Sequence, residues 1–590
     1  MRSRAAIGDH PLLPMVVPIP IGANFLALVG DIAHAAVPGF LLLGISGWLG
    51  GNPSYHHKVG VVEDKDAEAL EIGMREGKGT VAMSTRLRLA VAAAAGVVLL
   101  SCSSGTLDTR AADQAASYKT EVKVAESIAV PEGFRAVQVV EGLNFPSAIA
   151  WDDSGRLHIL ESHSVPVPTL KPKILRVAAD GEIEELRFEG AAAPTGETAV
   201  GLSFRDGWLY LSHEEKDGTW GISRVRPAGG AVEAVLRGLP GDGDHWVNYL
   251  QFDARGNLYF GVGSATNSGV VSSHDPVNQK WLKKRPASRD IACRDVVLAG
   301  QTFTDDNALT EADDDVATTG VYQPYGESRA QRITGRVPCT GAIFRLRPGA
   351  SSAELVAWGF RNPVALALDP RGGLLVGMHG ADIRGTRPVL DDPDAIYRVR
   401  EGAWYGWPDY SARLEPISEA KYRPPDKFLA PGHRGLAFVF DHAASGLAAP
   451  DRSLLVAATD PHAALGGMAV VPPDGPFARW GGRLLISEMG DFKPSTDPVN
   501  AQTRAGFQVE AVDLETGART VFARNRGTGP AQPASLLDLE LGFERPVDVK
   551  LGPDGMVYVL DFGVFNPTEK TMKVFPKTGR VFRIEPSGGP

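Results

Sequence analysis

Residues 241–264 read GDGDHWVNYLQFDARGNLYFGVGS, and the fold turns on how this stretch is parsed. From Val247 the side chains alternate apolar and polar, pause at an Asp-Ala-Arg-Gly turn, and resume as Leu-Tyr-Phe-Gly-Val. Alternation at a period of two on both sides of a tight turn is the mark of a β-hairpin. The aspartate and glycine supply the local hydrogen bonds and the positive φ that the turn needs. Asp244 and His245 stand immediately ahead of the first strand, so the loop entering the hairpin carries an acid and an imidazole.

The hairpin recurs. FPSAIAWDDSGRLHILES, AVGLSFRDGWLYLSH, NPVALALDPRGGLLVGMHG, GMAVVPPDGPFARWGGRLLISEMG and RPVDVKLGPDGMVYVLDFG repeat its grammar. A closing strand follows each hairpin in order: ILRVAADG, ISRVRPAGG, AIFRLRPG, AIYRVREG, FQVEAVDLETG and RVFRIEP. Six interleaved hairpins and closing strands predict a six-bladed β-propeller, an all-β domain over residues 130–587. The uneven spacing places insertions between blades. The largest runs from about Ala265 to Thr340 and includes Asp313, Asp314 and Asp315, which read as a solvated acidic loop because the glycine and terminal glutamate of a calcium loop are missing.

Composition agrees. The 590 residues include 67 glycines and 43 prolines, with 43% hydrophobic content, which favours many short strands and turns. A net charge of -10 without a basic run argues against a nucleic-acid partner.

The first hundred residues have another character. Residues 12–51 are nearly all apolar and read as two short helical membrane spans joined at HAAVPG, with Asp31 and His34 at the turn, inside a membrane segment over 1–82. Residues 83–102, MSTRLRLAVAAAAGVVLLSC, resemble a bacterial lipoprotein signal that would place lipid on Cys102. Residues 103–129 read as a linker. GDHPLLPMVVPIPIG and GWLGGNPSYHHKVGV resemble a family of small multi-pass membrane proteins of unknown function, shortened here, so that this part reads as an abridged fusion or as the product of a start earlier than Met83. The expectation is a membrane-anchored chain whose propeller is exported to the periplasm or cell surface. Of the three cysteines, Cys293 and Cys339 are then left as a candidate disulfide across the acidic insertion.

Functional residues of a propeller lie on the loops at strand ends around the central channel. His245 is in such a place, as are Arg361 and Asn362 ahead of PVALALD, and Arg545 ahead of PVDVKLG. An imidazole there suits general-base work, and arginines suit a carboxylate-bearing ligand.

The runs DHWVNYLQFDARGNLYFGVGS, GFRNPVALALDPRG, HGAD, DAIYRVREGAWYGWPDYS and ERPVDVKLGPDG, within residues 130–586, resemble the glucose/sorbosone dehydrogenase family. That resemblance implies a six-bladed quinoprotein which oxidises a sugar, alcohol or aldehyde with pyrroloquinoline quinone and Ca2+. Position by position it implies His245 as catalytic base, Arg361, Asn362 and Arg545 as cofactor-binding residues, and Gly380 and Ala381 as carbonyl ligands of the calcium. Ser264 stands where the glucose-oxidising members carry an aspartate that orients the histidine. A lysine expected near Met489 and Gly490 and an arginine expected near Val547 are missing, and Val364 replaces a glutamine. Trp404, Tyr405, Gly406, Trp407 and Pro408 read as loop packing. No haem-attachment motif occurs, so electrons would leave to a separate cytochrome or quinone. Two other classes stay open: a cell-surface binding propeller without cofactor, and a calcium-dependent lactonase, for which His245, His379, Asp382 and Asp394 do not form the required acidic cluster.

Overall fold

The computed structural model describes residues 118–588, apart from 163–170, 192, 195, 197, 311–314, 430–435 and 568–571. The described residues all belong to one compact unit, which runs from Ala112 to Pro590. The expected membrane spans, the lipoprotein-like signal and Cys102 therefore lie outside the described residues. Among the described residues no helix is long and apolar enough to cross a membrane.

Six antiparallel sheets form the blades of a propeller. Their inner strands are Pro146–Trp151, Ala199–Arg205, Val247–Phe252, Asn362–Leu368, Leu465–Val470 and Pro546–Leu551, for blades 1 to 6 in order. Each inner strand adjoins the next, and blade 6 adjoins blade 1, so the ring closes. The turns form for the reason the sequence gives: Asp253 Oδ1 accepts the backbone N–H groups of Arg255 and Asn257, and Asp369 Oδ1 those of Arg371 and Gly373.

The strand that closes the ring comes from the opposite end of the domain. Phe134–Leu143 pairs with Gly579–Pro586 and supplies the fourth strand of blade 6. The sheets also reach further toward the N-terminus than residue 130. Lys123–Val124 pairs with Val137 and Gln138, and Ile128–Ala129 adds an edge strand to blade 5 against Arg524 and Asn525. The end of the expected linker is thus part of the propeller.

Apolar side chains between neighbouring blades make the core, with Trp220, Phe260 and Phe344 fully buried and the two phenylalanine rings 5.5 Å apart. The insertion after blade 3's second strand has secondary structure of its own, while Asp313 and Asp314 of its acidic run lie outside the described residues. It holds the short helix Asn278–Leu282, the hairpin Thr302–Asp306 with Val316–Gly320, and a disulfide between Cys293 and Cys339. It is also tied to the segment after blade 4's third strand, since Ala299 N–H donates to Val439 O and Asp441 N–H to Val297 O, each at 2.9 Å.

Candidate active site

The loops entering the inner strands converge at one end of the channel. Blades 3 and 4 are joined there through Ser264. Its N–H donates to the Arg361 carbonyl at 2.7 Å, and its own carbonyl accepts the His245 N–H at 3.2 Å. The same carbonyl lies 2.9 Å from His245 Nδ1, with the Ser264 hydroxyl 3.2 Å away. A carbonyl only accepts, so Nδ1 carries the hydrogen and Nε2 is left as the basic nitrogen. Burial, then the charges of Arg361 and Arg384, hold the imidazole well below the ordinary histidine range. Gly263 must be glycine here: a Cβ would lie 2.3 Å from that of His245 and 2.9 Å from Asn362 Oδ1. His245 and Asn362 therefore flank one glycine backbone.

Asn362 links three blades. Asn248 Nδ2 donates to Asn362 Oδ1 at 2.7 Å, Asn362 Nδ2 donates to His379 Nδ1 at 3.1 Å, and His379 Nε2 donates to Leu465 O at 2.6 Å. The carbonyl at the end of the chain fixes the tautomer of His379 and the orientation of the amide.

Arg361 is buried and turned toward the 380s loop. Its Nε donates to Asn267 O at 3.1 Å, and Nη2 to Asn267 Oδ1 at 2.9 Å and Asp382 Oδ2 at 2.7 Å. Asp382 also takes Arg384 Nε at 3.0 Å. Burial would raise the Asp382 carboxyl, but Arg361, His462 and Arg384 outweigh it and hold the group well below the carboxylate range. Arg384 in turn binds Asp244 at 2.7 Å and Asp275. Asp244 accepts Asn278 Nδ2 at 2.7 Å as well. The acid of the Asp244-His245 pair therefore anchors the insertion and Arg384, while the partly exposed imidazole stands at the channel mouth.

Gly380 and Ala381 are held by their N–H groups, which donate to Asp394 Oδ1 at 3.0 Å and Asp392 Oδ2 at 2.7 Å. Among the described residues neither of their carbonyls accepts a hydrogen bond. Asp394 Oδ2 accepts Leu465 N–H at 2.8 Å, so Asp394 is a brace between blades 4 and 5. No cluster of three or more His, Cys, Asp or Glu suited to a metal occurs among the described residues.

Arg545 sits apart from this constellation. Its Nη1 donates to the carbonyls of Met489, Gly490 and Asp491 at 3.3, 2.9 and 3.1 Å, and its other nitrogens to Phe565 O. Phe492, Phe507 and Phe565 surround it with ring centroids 4.8 to 5.0 Å from the guanidinium carbon. Burial lowers it to about 10. Trp404, Tyr405 and Trp407 are buried, and Tyr405 stacks on Phe360 at 4.2 Å.

Arg384, His462 and Lys493 are site residues that the motifs did not single out. Lys493 lies in the loop after blade 5's second strand, four residues past Met489, and its ammonium is 3.5 Å from Asp497. His462 precedes blade 5's inner strand much as His245 precedes that of blade 3. Its place just ahead of an inner strand, three residues before Leu465 where His245 is two before Val247, was the available signal, and Gly466 and Gly467 hid it by shortening the apparent strand to GMAVV.

No protein-family model matches the chain, and no curated protein does. Among solved structures it is similar to the PQQ-bound aldose sugar dehydrogenase of Streptomyces coelicolor, at 16% identity and a TM-score of 0.41 over 79% of this chain and 98% of that one. The apo-form of the soluble aldose sugar dehydrogenase of Escherichia coli matches at 15% and 0.42, over 79% and 100%. The holo PQQ domain of a pyranose dehydrogenase from Coprinopsis cinerea matches at 14% and 0.43, over 78% and 97%. Likeness of this degree assigns no activity, which must rest on the mouth of the channel itself.

Proposed function

We propose that this chain is a quinoprotein oxidoreductase that oxidises a sugar or a related alcohol or aldehyde. The observation that carries the reading is His245, an imidazole kept neutral, oriented through Nδ1 and left basic at Nε2, one backbone link from Arg361. The mouth fits a quinone and calcium on the side of blades 3 and 4. Among the described residues Arg361 makes no hydrogen bond from Nη1, and the Gly380 and Ala381 carbonyls are unengaged. Arg361 and Asn362 would hold the cofactor's oxygens, and the two carbonyls the Ca2+. Bound pyrroloquinoline quinone with calcium supplies the two-electron, hydride-accepting chemistry. His245 takes the substrate hydroxyl proton at Nε2, while the Ser264 carbonyl stabilises the charged ring through Nδ1.

A role for Arg545 at the cofactor requires a carboxylate to displace one of the four carbonyls it now serves. That contact set favours a second reading, a binding propeller without quinone. Membrane attachment through segment 1–82, lipid on Cys102 and export go with either reading, a separate cytochrome or quinone acceptor with the first, and all of them rest on sequence alone.

The test is titration of the purified chain from Ser103 onward with pyrroloquinoline quinone and calcium, followed by dye reduction on a sugar panel. Saturable, calcium-dependent binding with turnover lost in His245→Ala and affinity lost in Arg361→Ala is the expected result. Absence of quinone binding would leave the binding module.

A further inference from the structure

His462 lies between blade 4's outer strand, Leu455–Pro461, and blade 5's inner strand. Its φ is 65° and that of Ala464 is 54°. Both are left-handed values that residues with a side chain adopt against a cost, and such conformations cluster at functional sites. The side chain is 4% exposed and sits between two carboxylates: Nδ1 is 3.4 Å from Asp382 Oδ1 and Nε2 is 3.6 Å from Asp497 Oδ2. Lys493 Nζ faces the same Asp497 oxygen at 3.5 Å. Asp391 is a further charge coupled to the group, and Arg361 and Arg384 act on it through Asp382. Burial alone would favour a neutral ring, but Asp382 and Asp497 outweigh it and raise the imidazole above its ordinary value.

Asp382 divides its two oxygens. Oδ2 serves Arg361 and Arg384, and Oδ1 faces His462. The terminal torsion of an aspartate is broad and roughly two-fold, so a partner on the second oxygen narrows what the two guanidiniums on the first leave open. We propose that His462 is a positioning residue of the mouth: backed by Asp497, it fixes Asp382 and thereby sets the orientation of the Arg361 guanidinium. Its effect on a ligand rests on the quinoprotein reading, whereas the clamp itself does not.

A double-mutant cycle separates the two. Quinone affinity in the presence of calcium is measured for wild type, His462→Leu, Asp382→Asn and the double variant, and thermal unfolding is followed for the same four proteins without cofactor. His462→Leu is expected to weaken quinone binding about tenfold, and to have no further effect once Asp382 is Asn, because coupled neighbours are not additive. Asp497→Asn, which contacts neither Arg361 nor the ligand, should weaken binding in the same direction. Additive effects on affinity, or unchanged affinity in His462→Leu, overturn the proposal. If the wild type binds no quinone, the quinoprotein reading fails and the unfolding cycle decides the clamp: non-additive shifts sustain it and additive shifts overturn it. Should His462→Leu not fold, His462→Gln takes its place in both cycles.

Discussion

His245 Nδ1 donates to the carbonyl oxygen of Ser264 across 2.9 Å, and this one bond decides which nitrogen of the ring does chemistry. With Nε2 as base, His245→Gln should lower kcat by about 10²- to 10⁴-fold while leaving quinone affinity nearly intact. Burial and the neighbouring arginines depress the imidazole, so it stays neutral to lower pH than a free histidine. The acid limb of kcat/KM should therefore fall below about pH 6.5. Ser264→Asp places an anion on Nδ1 and should move that limb to higher pH. A limb at or above 6.5 in the wild type, unmoved by Ser264→Asp, would remove His245 from the role.

Arg545 is a buried cation whose contacts are backbone carbonyls and phenyl rings, which makes it a staple between blade 6 and the loop of residues 489–491. Arg545→Met leaves those carbonyls without a donor. Each buried acceptor stranded in this way costs about 1–3 kcal/mol, so the loss of stability should be several kcal/mol, read from the urea midpoint. A variant of wild-type stability that has lost quinone affinity would instead return Arg545 to the cofactor.

The blades were legible because each hairpin obeys a local rule: period-two alternation, an aspartate at the turn, and a glycine behind it. Each of the six inner strands and six third strands overlaps a quoted repeat, although several begin one or two residues before it, as Leu465–Val470 begins before Gly467. Outer strands such as Glu233–Leu239 were not legible, because an exposed edge strand has no apolar alternation to display. The closing pair of Phe134–Leu143 with Gly579–Pro586 joins segments more than four hundred residues apart, and no local pattern records that. In the mouth, His245 and Arg361 could be named because each precedes a well-marked strand. The network of Asp244, Arg384, Asp382 and His462 could not, since long-range ion pairs carry no signature in spacing.

The disulfide Cys293–Cys339 spans a sequence separation of 46 residues within the insertion. Closing a loop of this length in the unfolded chain stabilises the fold by about 4 kcal/mol in the chain-entropy account. Cys293→Ser with Cys339→Ser should lower the unfolding midpoint by a corresponding amount. Because the insertion also binds Arg384 through Asp275 and anchors Asp244, the same variant should loosen the mouth and weaken quinone binding. Equal quinone affinity in oxidised and reduced protein would confine the bond to stability.

Below the mouth, Tyr249 of blade 3 crosses the channel and donates its hydroxyl to Ser147 O of blade 1 at 2.6 Å and Val547 O of blade 6 at 3.0 Å. Beside it lies Asp548, fully buried, with Oδ2 on Ile149 N–H at 3.2 Å. Among the described residues its Oδ1 has no hydrogen-bond partner; it is 3.6 Å from Lys550 Nζ, and a Cβ on Gly467 would fall 1.8 Å from that oxygen. Burial raises the carboxyl to about 6, with Lys550 opposing. An unfolded aspartate titrates near 3.9, so between about pH 4 and 6 the folded chain binds the extra proton. Stability contributed by this group is thus present at acid pH and falls as pH rises through that window, by about 3 kcal/mol in all. Asp548→Asn keeps the shape without the charge. The difference in urea midpoint between pH 4.5 and 7.5 should shrink in the variant relative to wild type. An unchanged difference would mean that Lys550 holds Asp548 ionised throughout, and the channel would then carry a buried ion pair at its centre.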